Sequence, residues 1–213
     1  MRIACLHTAE GNRQVFEQAA SELGVEGLEL THAMRPDLLL AAERDGGVTP
    51  QIAAETRAVL EGLRGDADAV LLTCSTVGSA VTEDDREASV PMLRVDRALA
   101  ERAVRDGGRV VVLCATETTV GPTTALFELS ARSTGAEVDI RVVPGAWARF
   151  RAGDQDGYFS AIAAAADAAL AEGAEVVALA QASMAGAAKL ARGGEVLASP
   201  AIGLAAAVDA ARG

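Results

Sequence analysis

Aromatic residues make up only 3% of the 213 residues, which leaves no stacking platform for nucleic-acid bases. The formal net charge of -11 argues against polyanionic partners, so neither nucleic acid nor an anionic membrane is expected. Three cysteines, Cys5, Cys74 and Cys114, are too few for a disulfide framework, and their linear spacing is not that of a zinc site. With only two histidines, His7 and His32, no histidine-based metal centre is expected. No segment approaches the ~20 uninterrupted apolar residues of a membrane span. The opening "MRIACLHTAEG" lacks the long apolar region of a signal peptide and reads as a first strand. These absences lead to the expectation of a cytoplasmic protein free of membrane partners.

What the chain does have is alternation. Short apolar runs with β character lie at 2–6, 27–30, 69–73, 91–95, 109–113, 137–142, 175–180 and 195–199. Between them run Ala-, Leu-, Glu- and Arg-rich stretches of helical length, such as "QIAAETRAVLEGL" and "FSAIAAAADAALAEG". Glycines follow several of their ends, as at Gly24, Gly107 and Gly173. The pattern predicts an α/β fold with mainly parallel sheets, their strands apolar enough to be covered on both faces.

The chain also repeats itself. "RIACL" at Arg2 matches "RVVVL" at Arg109, an offset of 107 residues, and the same offset lays Val70 on Val177 and Leu72 on Leu179. Two strand matches at one spacing predict two similar α/β lobes: residues 1–95 together with a returning C-terminal helix in 200–213, and residues 96–199. The offset sets Cys74 opposite Gln181, so "LLTCST" and "ALAQAS" are equivalent strand-to-loop junctions. In open parallel sheets ligands bind beyond the carboxyl ends of the strands, and two such lobes face to face would place both junctions on one cleft.

Four strand-end loops carry the candidate chemistry: "HTAEGN" (7–12), "TCSTVG" (73–78), "ATETTVG" (115–121) and "AQASMAG" (180–186). Small hydroxyl residues and backbone amides at a helix start suit a carboxylate, although Ser and Thr there are commonly N-caps alone. Cys74 lies past its apolar run, where a following helix and neighbouring hydroxyls are expected to lower its pKa and expose it. Cys5 and Cys114 interrupt strands and are expected to be inert core residues. His7 closes the first strand, with a ligand contact and a loop-capping role both open to it, and His32 is expected to be structural.

At these residues the chain resembles the aspartate/glutamate/hydantoin racemase superfamily. "LLTCST" is similar to the first cysteine motif, "LAQASMAG" to the second, and "LCATETTVGPTTALFE" to the Ala-Thr-x-x-Thr stretch that opens the second lobe. The resemblance spans essentially the whole chain. It implies two pseudo-symmetric lobes, a cofactor-independent enzyme, and a small carboxylate substrate bound by His7, Thr8, Ser75, Thr76, Thr116, Thr118, Thr119, Gln181, Ala182 and Ser183. It also implies Cys74 as acid/base or nucleophile, and it admits a homo-oligomer. The chain departs from the pattern where the second cysteine would stand. Gln181 occupies that position, and an amide neither takes nor gives an α-proton at neutral pH. Relatives of the arylmalonate decarboxylase and maleate isomerase types therefore stand beside the two-thiol racemases, the former working with a single cysteine that sits in the second lobe. A non-catalytic carboxylate sensor that kept the cleft is the alternative to an enzyme.

Overall fold

A computed structural model describes residues 1–213. The chain forms eight strands, β1 (Arg2–His7), β2 (Glu29–Met34), β3 (Ala69–Leu72), β4 (Met92–Arg94), β5 (Arg109–Cys114), β6 (Glu137–Val142), β7 (Val176–Leu179) and β8 (Val196–Ala198). They make two four-stranded sheets, ordered β2-β1-β3-β4 and β6-β5-β7-β8, with every pairing parallel. Parallel neighbours need long crossovers, and the helices α1 (Asn12–Leu23), α2 (Pro36–Arg44), α3 (Pro50–Leu63), α4 (Val95–Val104), α5 (Glu117–Ala131), α6 (Ala146–Arg151), α7 (Gln155–Ala171), α8 (Ala185–Ala188) and α9 (Ser199–Arg212) supply them or cap the ends.

The chain divides into two compact units, Met1–Ala98 with Pro200–Gly213, and Leu99–Ser199. Each sheet has its own core. In the first, Leu6, Val70, Leu72 and Met92 pack with Leu38, Ile52 and Leu60 from the helices. In the second, Val111, Leu113, Val177 and Leu179 pack with Tyr158, Ile162 and Ala166 of α7.

Local chemistry explains where the helices begin. Thr49 accepts from the Ile52 amide at 3.3 Å ahead of α3, with Pro50 at the first helical position. Asp154 accepts from the Gly157 amide at 3.0 Å ahead of α7. Gly24 ends α1 in the left-handed conformation (φ 62°) with its amide on the Ala20 carbonyl.

The 107-residue repeat is built into the ladders. Ile3 pairs with Ala69 in the first sheet, and Val110 pairs with Val176 in the second, each shifted by that offset. The correspondence continues past the strand ends, where Thr73 N–H donates to Leu6 O at 3.1 Å and Ala180 N–H to Leu113 O at 3.0 Å. It drifts elsewhere: Glu29 opens β2 and Glu137 opens β6, while Met92 opens β4 and Val196 opens β8. The strand expected at 27–30 is displaced to Glu29–Met34. This edge strand is only partly buried, so Thr31 and His32 carry no apolar signal that would extend it.

Candidate active site

The carboxyl ends of β1 and β3 deliver Thr8 and Cys74 to adjacent loops. The Cys74 sulfur takes hydrogen bonds from the Thr8 hydroxyl and from the backbone amides of Thr76 and Val77. Thr8, Thr73, Cys74, Ser75 and Thr76 are all buried. Three converging donors can hold a thiolate, and the two amides among them are fixed by the turn that begins at residue 75, where Gly78 N–H donates to Ser75 O at 3.2 Å.

The expected lowering of the Cys74 pKa is not what the structure shows. Burial pushes the thiol up, outweighing Thr8 and the two amides, with the Asp96 charge adding to the rise. The physical reason lies in the next element. A 3-10 turn at Gly78–Ala80 follows β3 instead of an α-helix, so no macrodipole helps the anion, and the side chain is enclosed where exposure was expected. Cys5 and Cys114 are fully buried, and burial pushes both up to about 12.

Sequence reasoning missed Arg94 and Asp96. Arg94 ends β4 and clamps Asp96 bidentately, Nε to Oδ1 at 2.7 Å and Nη2 to Oδ2 at 2.8 Å, with both side chains largely buried. The guanidinium lies against Gly78, where a Cβ would collide with it, and it interacts with Cys74. The available signal was an arginine at the carboxyl end of an apolar run, the topological position that had singled out Cys74.

His7 does not project as a free donor. Its ring is buried, with Nδ1 2.8 Å from Thr73 Oγ1 and Nε2 2.8 Å from His32 Nδ1. Thr73 gives its only hydroxyl proton to Leu6 O at 2.9 Å, so it accepts from His7 Nδ1–H. His7 therefore presents Nε2 as a lone pair to His32, whose Nε2 in turn lies 2.9 Å from Glu17 Oε1. Burial, the facing His32 and Arg13 lower the His7 pKa to about 4, so the neutral ring is the resident form. His7 thus braces the residue before Cys74, and both of its ring nitrogens are paired with protein groups, Nδ1 with Thr73 and Nε2 with His32. His32, expected to be structural, is the middle of this chain.

The second unit repeats the arrangement with different atoms. Gln181 Oε1 accepts from the Ala115 amide at 2.6 Å. Ala115 stands 107 residues from Thr8, and Gln181 the same distance from Cys74, so each lobe ties its first strand-end loop to its third through the same pair of positions. Thr116 Oγ1 lies 3.3 Å from Thr118 Oγ1, and Thr119 is fully buried. Ala182 is buried in a 3-10 turn, Ala182–Met184, and Ser183 Oγ lies 3.0 Å from the Tyr158 hydroxyl. The expected helix after this loop is the four-residue α8 alone. Within each unit, then, the predicted loop residues gather at the carboxyl ends of the central strands.

The model of the Asp/Glu/Hydantoin racemase family matches residues 8–207. Among solved structures, Picrophilus torridus aspartate racemase superposes with a TM-score of 0.74 at 13% identity, covering 99% of this chain and 93% of that one. Allantoin racemase from Pseudomonas fluorescens gives 0.67 at 19% identity, over 100% and 91%. Glutamate racemase from Thermus thermophilus, in complex with β-chloro-D-alanine, gives 0.65 at 18% identity, over 99% and 79%. No curated protein sequence matches significantly. At these identities the structural likenesses establish the fold, and the match over nearly the whole sequence establishes the lineage: the chain belongs to the Asp/Glu/Hydantoin racemase family.

Proposed function

We propose that this racemase-type enzyme acts without a cofactor on a small carboxylate through a carbanion-like intermediate, with Cys74 as the general acid. The observation that carries the reading is the setting of Cys74. It is the one cysteine of the chain at a strand-end loop, and its sulfur is held by Thr8 and the amides of Thr76 and Val77. Because burial keeps the resting thiol protonated, its chemistry is to give a proton. The S–H bond breaks, the proton forms a C–H bond with the electron pair on the α-carbon, and the three donors stabilise the thiolate left behind until water reprotonates it.

The carbanion must come from elsewhere. At the position equivalent to Cys74 stands Gln181, which does not titrate and whose carbonyl oxygen is occupied by Ala115. Loss of carbon dioxide, leaving its bonding pair on the α-carbon, needs no second thiol. This favours a decarboxylase-type lyase over a two-thiol racemase. For the carboxylate groups, Ser75 supplies its hydroxyl and amide and Thr76 its hydroxyl in the first lobe. The corresponding loops of the second lobe carry donors of the same kind in Thr116, Thr118, Thr119, Ala182, Ser183 and the Gln181 amide NH₂. A carboxylate sensor with the same loops is the second reading, favoured by the enclosure of Cys74.

The test is turnover of a panel of substituted malonates and of both enantiomers of aspartate and glutamate in deuterated water, followed by NMR. The expected result is product deuterated on one face only, with a loss of about 10³-fold or more in Cys74→Ala. Rapid exchange of both enantiomers of an amino acid by the native protein would overturn the single-thiol account. Binding of carboxylates with no turnover of any of them would establish the sensor.

A further inference from the structure

We infer that Cys5, His7 and His32 form a binding site for a thiophilic divalent cation, zinc(II) by chemistry, inside the first lobe. Cys5 and His7 are two residues apart on β1 and so share one face of the sheet, and Cys5 pairs directly with His32 of β2, which puts the third residue on that face too. One ligand atom from each, Sγ and two imidazole nitrogens, lies within 4.8 Å of the other two. A tetrahedral zinc with Zn–N of about 2.0–2.1 Å and Zn–S of about 2.3 Å needs its donor atoms roughly 3.3–3.6 Å apart, so a modest contraction around the sulfur and a slight spreading of the ring nitrogens complete the geometry.

The second observation is the state of the outer nitrogens. A ligating histidine characteristically donates its other N–H to an acceptor that fixes tautomer and ring plane. Both rings already have that acceptor: Thr73 Oγ1 faces His7 Nδ1 at 2.8 Å, and Glu17 Oε1 faces His32 Nε2 at 2.9 Å. The inner pair, His7 Nε2 and His32 Nδ1, is 2.8 Å apart and shares a single proton. The cation takes the place of that proton. Binding breaks the Cys5 S–H and His32 Nδ1–H bonds and releases both protons to solvent, while the sulfur and nitrogen lone pairs form the metal bonds and no electron is transferred. Phe16 walls the His7 ring at a centroid distance of 5.5 Å, and the fourth position is left to water. One sulfur and two imidazoles select zinc, cobalt or copper over magnesium and calcium, which require oxygen donors. The ion would be structural, locking His7 and through Thr73 the start of the Cys74 loop, and it is separate from the proton-transfer chemistry proposed above.

The experiment titrates the metal-stripped full chain with cobalt(II) and, separately, zinc(II). One equivalent of cobalt is expected to produce a thiolate-to-cobalt charge-transfer band in the near ultraviolet. Zinc is expected to raise Tm by about 5 °C or more at a large excess over Kd, and magnesium to leave it unchanged. Cys5→Ala, which keeps a small apolar group in the core, is expected to abolish the band, and His32→Gln at the half-buried position to abolish the Tm shift. Cys74→Ala is expected to retain both. Circular dichroism checks that each variant is folded, and if Cys5→Ala does not fold, His32→Gln decides alone. Absence of the band, its survival in Cys5→Ala, its loss in Cys74→Ala, or an unchanged zinc shift in His32→Gln would each overturn the assignment.

Discussion

Cys74 shows how a single side chain can carry opposite tendencies. Its three donors favour thiolate, and its burial favours thiol by more. Iodoacetamide at neutral pH is therefore expected to alkylate Cys74 more slowly than free cysteine, with the rate climbing only in alkaline buffer. Cys5 and Cys114, which expose no surface at all where Cys74 exposes 8%, should react later still. Peptide mapping under limiting reagent checks this, and prior reaction of Cys5 or Cys114 would contradict it. His7 makes the corresponding pH prediction. Its pKa is lowered to about 4 in the fold, against about 6.5 when unfolded. The unfolded chain thus takes up a proton that the native ring refuses. The stability His7 contributes is complete above about pH 6.5 and is lost as pH falls toward 4, by about 3 kcal/mol. Denaturant melts across that window with chelator present should show the decline, and His7→Gln should flatten it.

At the scale of elements, close approach decides the sign of a mutation that propensity alone would misjudge. Alanine for glycine inside a helix is ordinarily stabilising, by up to about 1 kcal/mol. In α9, however, a Cβ on Gly203 would sit 2.8 Å from the Val95 carbonyl oxygen and 3.0 Å from its Cα, at the start of α4. Backbone cannot move aside as a flexible side chain can, so Gly203→Ala is expected to cost about 1–3 kcal/mol in a urea melt. A second element-level tie is Asp85, which pairs with Arg57 of α3 at 2.6 and 2.7 Å and accepts from the Thr82 amide at 2.6 Å. This holds the irregular 78–90 segment, the one that follows the Cys74 loop, against α3. Asp85→Ala leaves those donors unpaired and should lower stability by about 2 kcal/mol. The strands that these helices cover were legible in the sequence because apolar runs of four to six residues have few alternatives beside helices so rich in alanine. β2 was only half legible, since an edge strand has one neighbour and need not be apolar throughout.

At the scale of the whole molecule, no helix is long and apolar enough to cross a membrane, and the net charge of -11 sets a repulsive background for any carboxylate. Local amides and hydroxyls, not the overall field, must then provide the attraction. Raising ionic strength from about 10 mM to 150 mM shortens the Debye length from about 30 Å to 8 Å, so KM for a dicarboxylate turned over by the enzyme should fall as salt is added. A KM that rises with salt would show that a local cationic group dominates binding, with Arg94 the first to replace. The internal repeat belongs to this scale as well. It was legible from two strand matches, and the ladders place those strands in identical register, because parallel pairing in a buried sheet tolerates no slip that would turn an apolar face outward.

By itself the sequence determined the alternation of strands and helices, the duplication, and the substitution of glutamine for a second cysteine, since each depends on residue type and local order. Tertiary structure decided what those residues do. Whether Cys74 rests as thiol or thiolate depends on how many donors reach the sulfur against how much water is excluded, and neither is encoded in "TCST" alone. Arg94 and Asp96 join that loop only because β4 pairs with β3. Cys5, His7 and His32 show no metal-site spacing along the chain, yet parallel register sets Cys5 beside His32 and the two-residue period of β1 sets His7 on the same face. Pairing across strands, not distance along the chain, brings these groups within reach of one another.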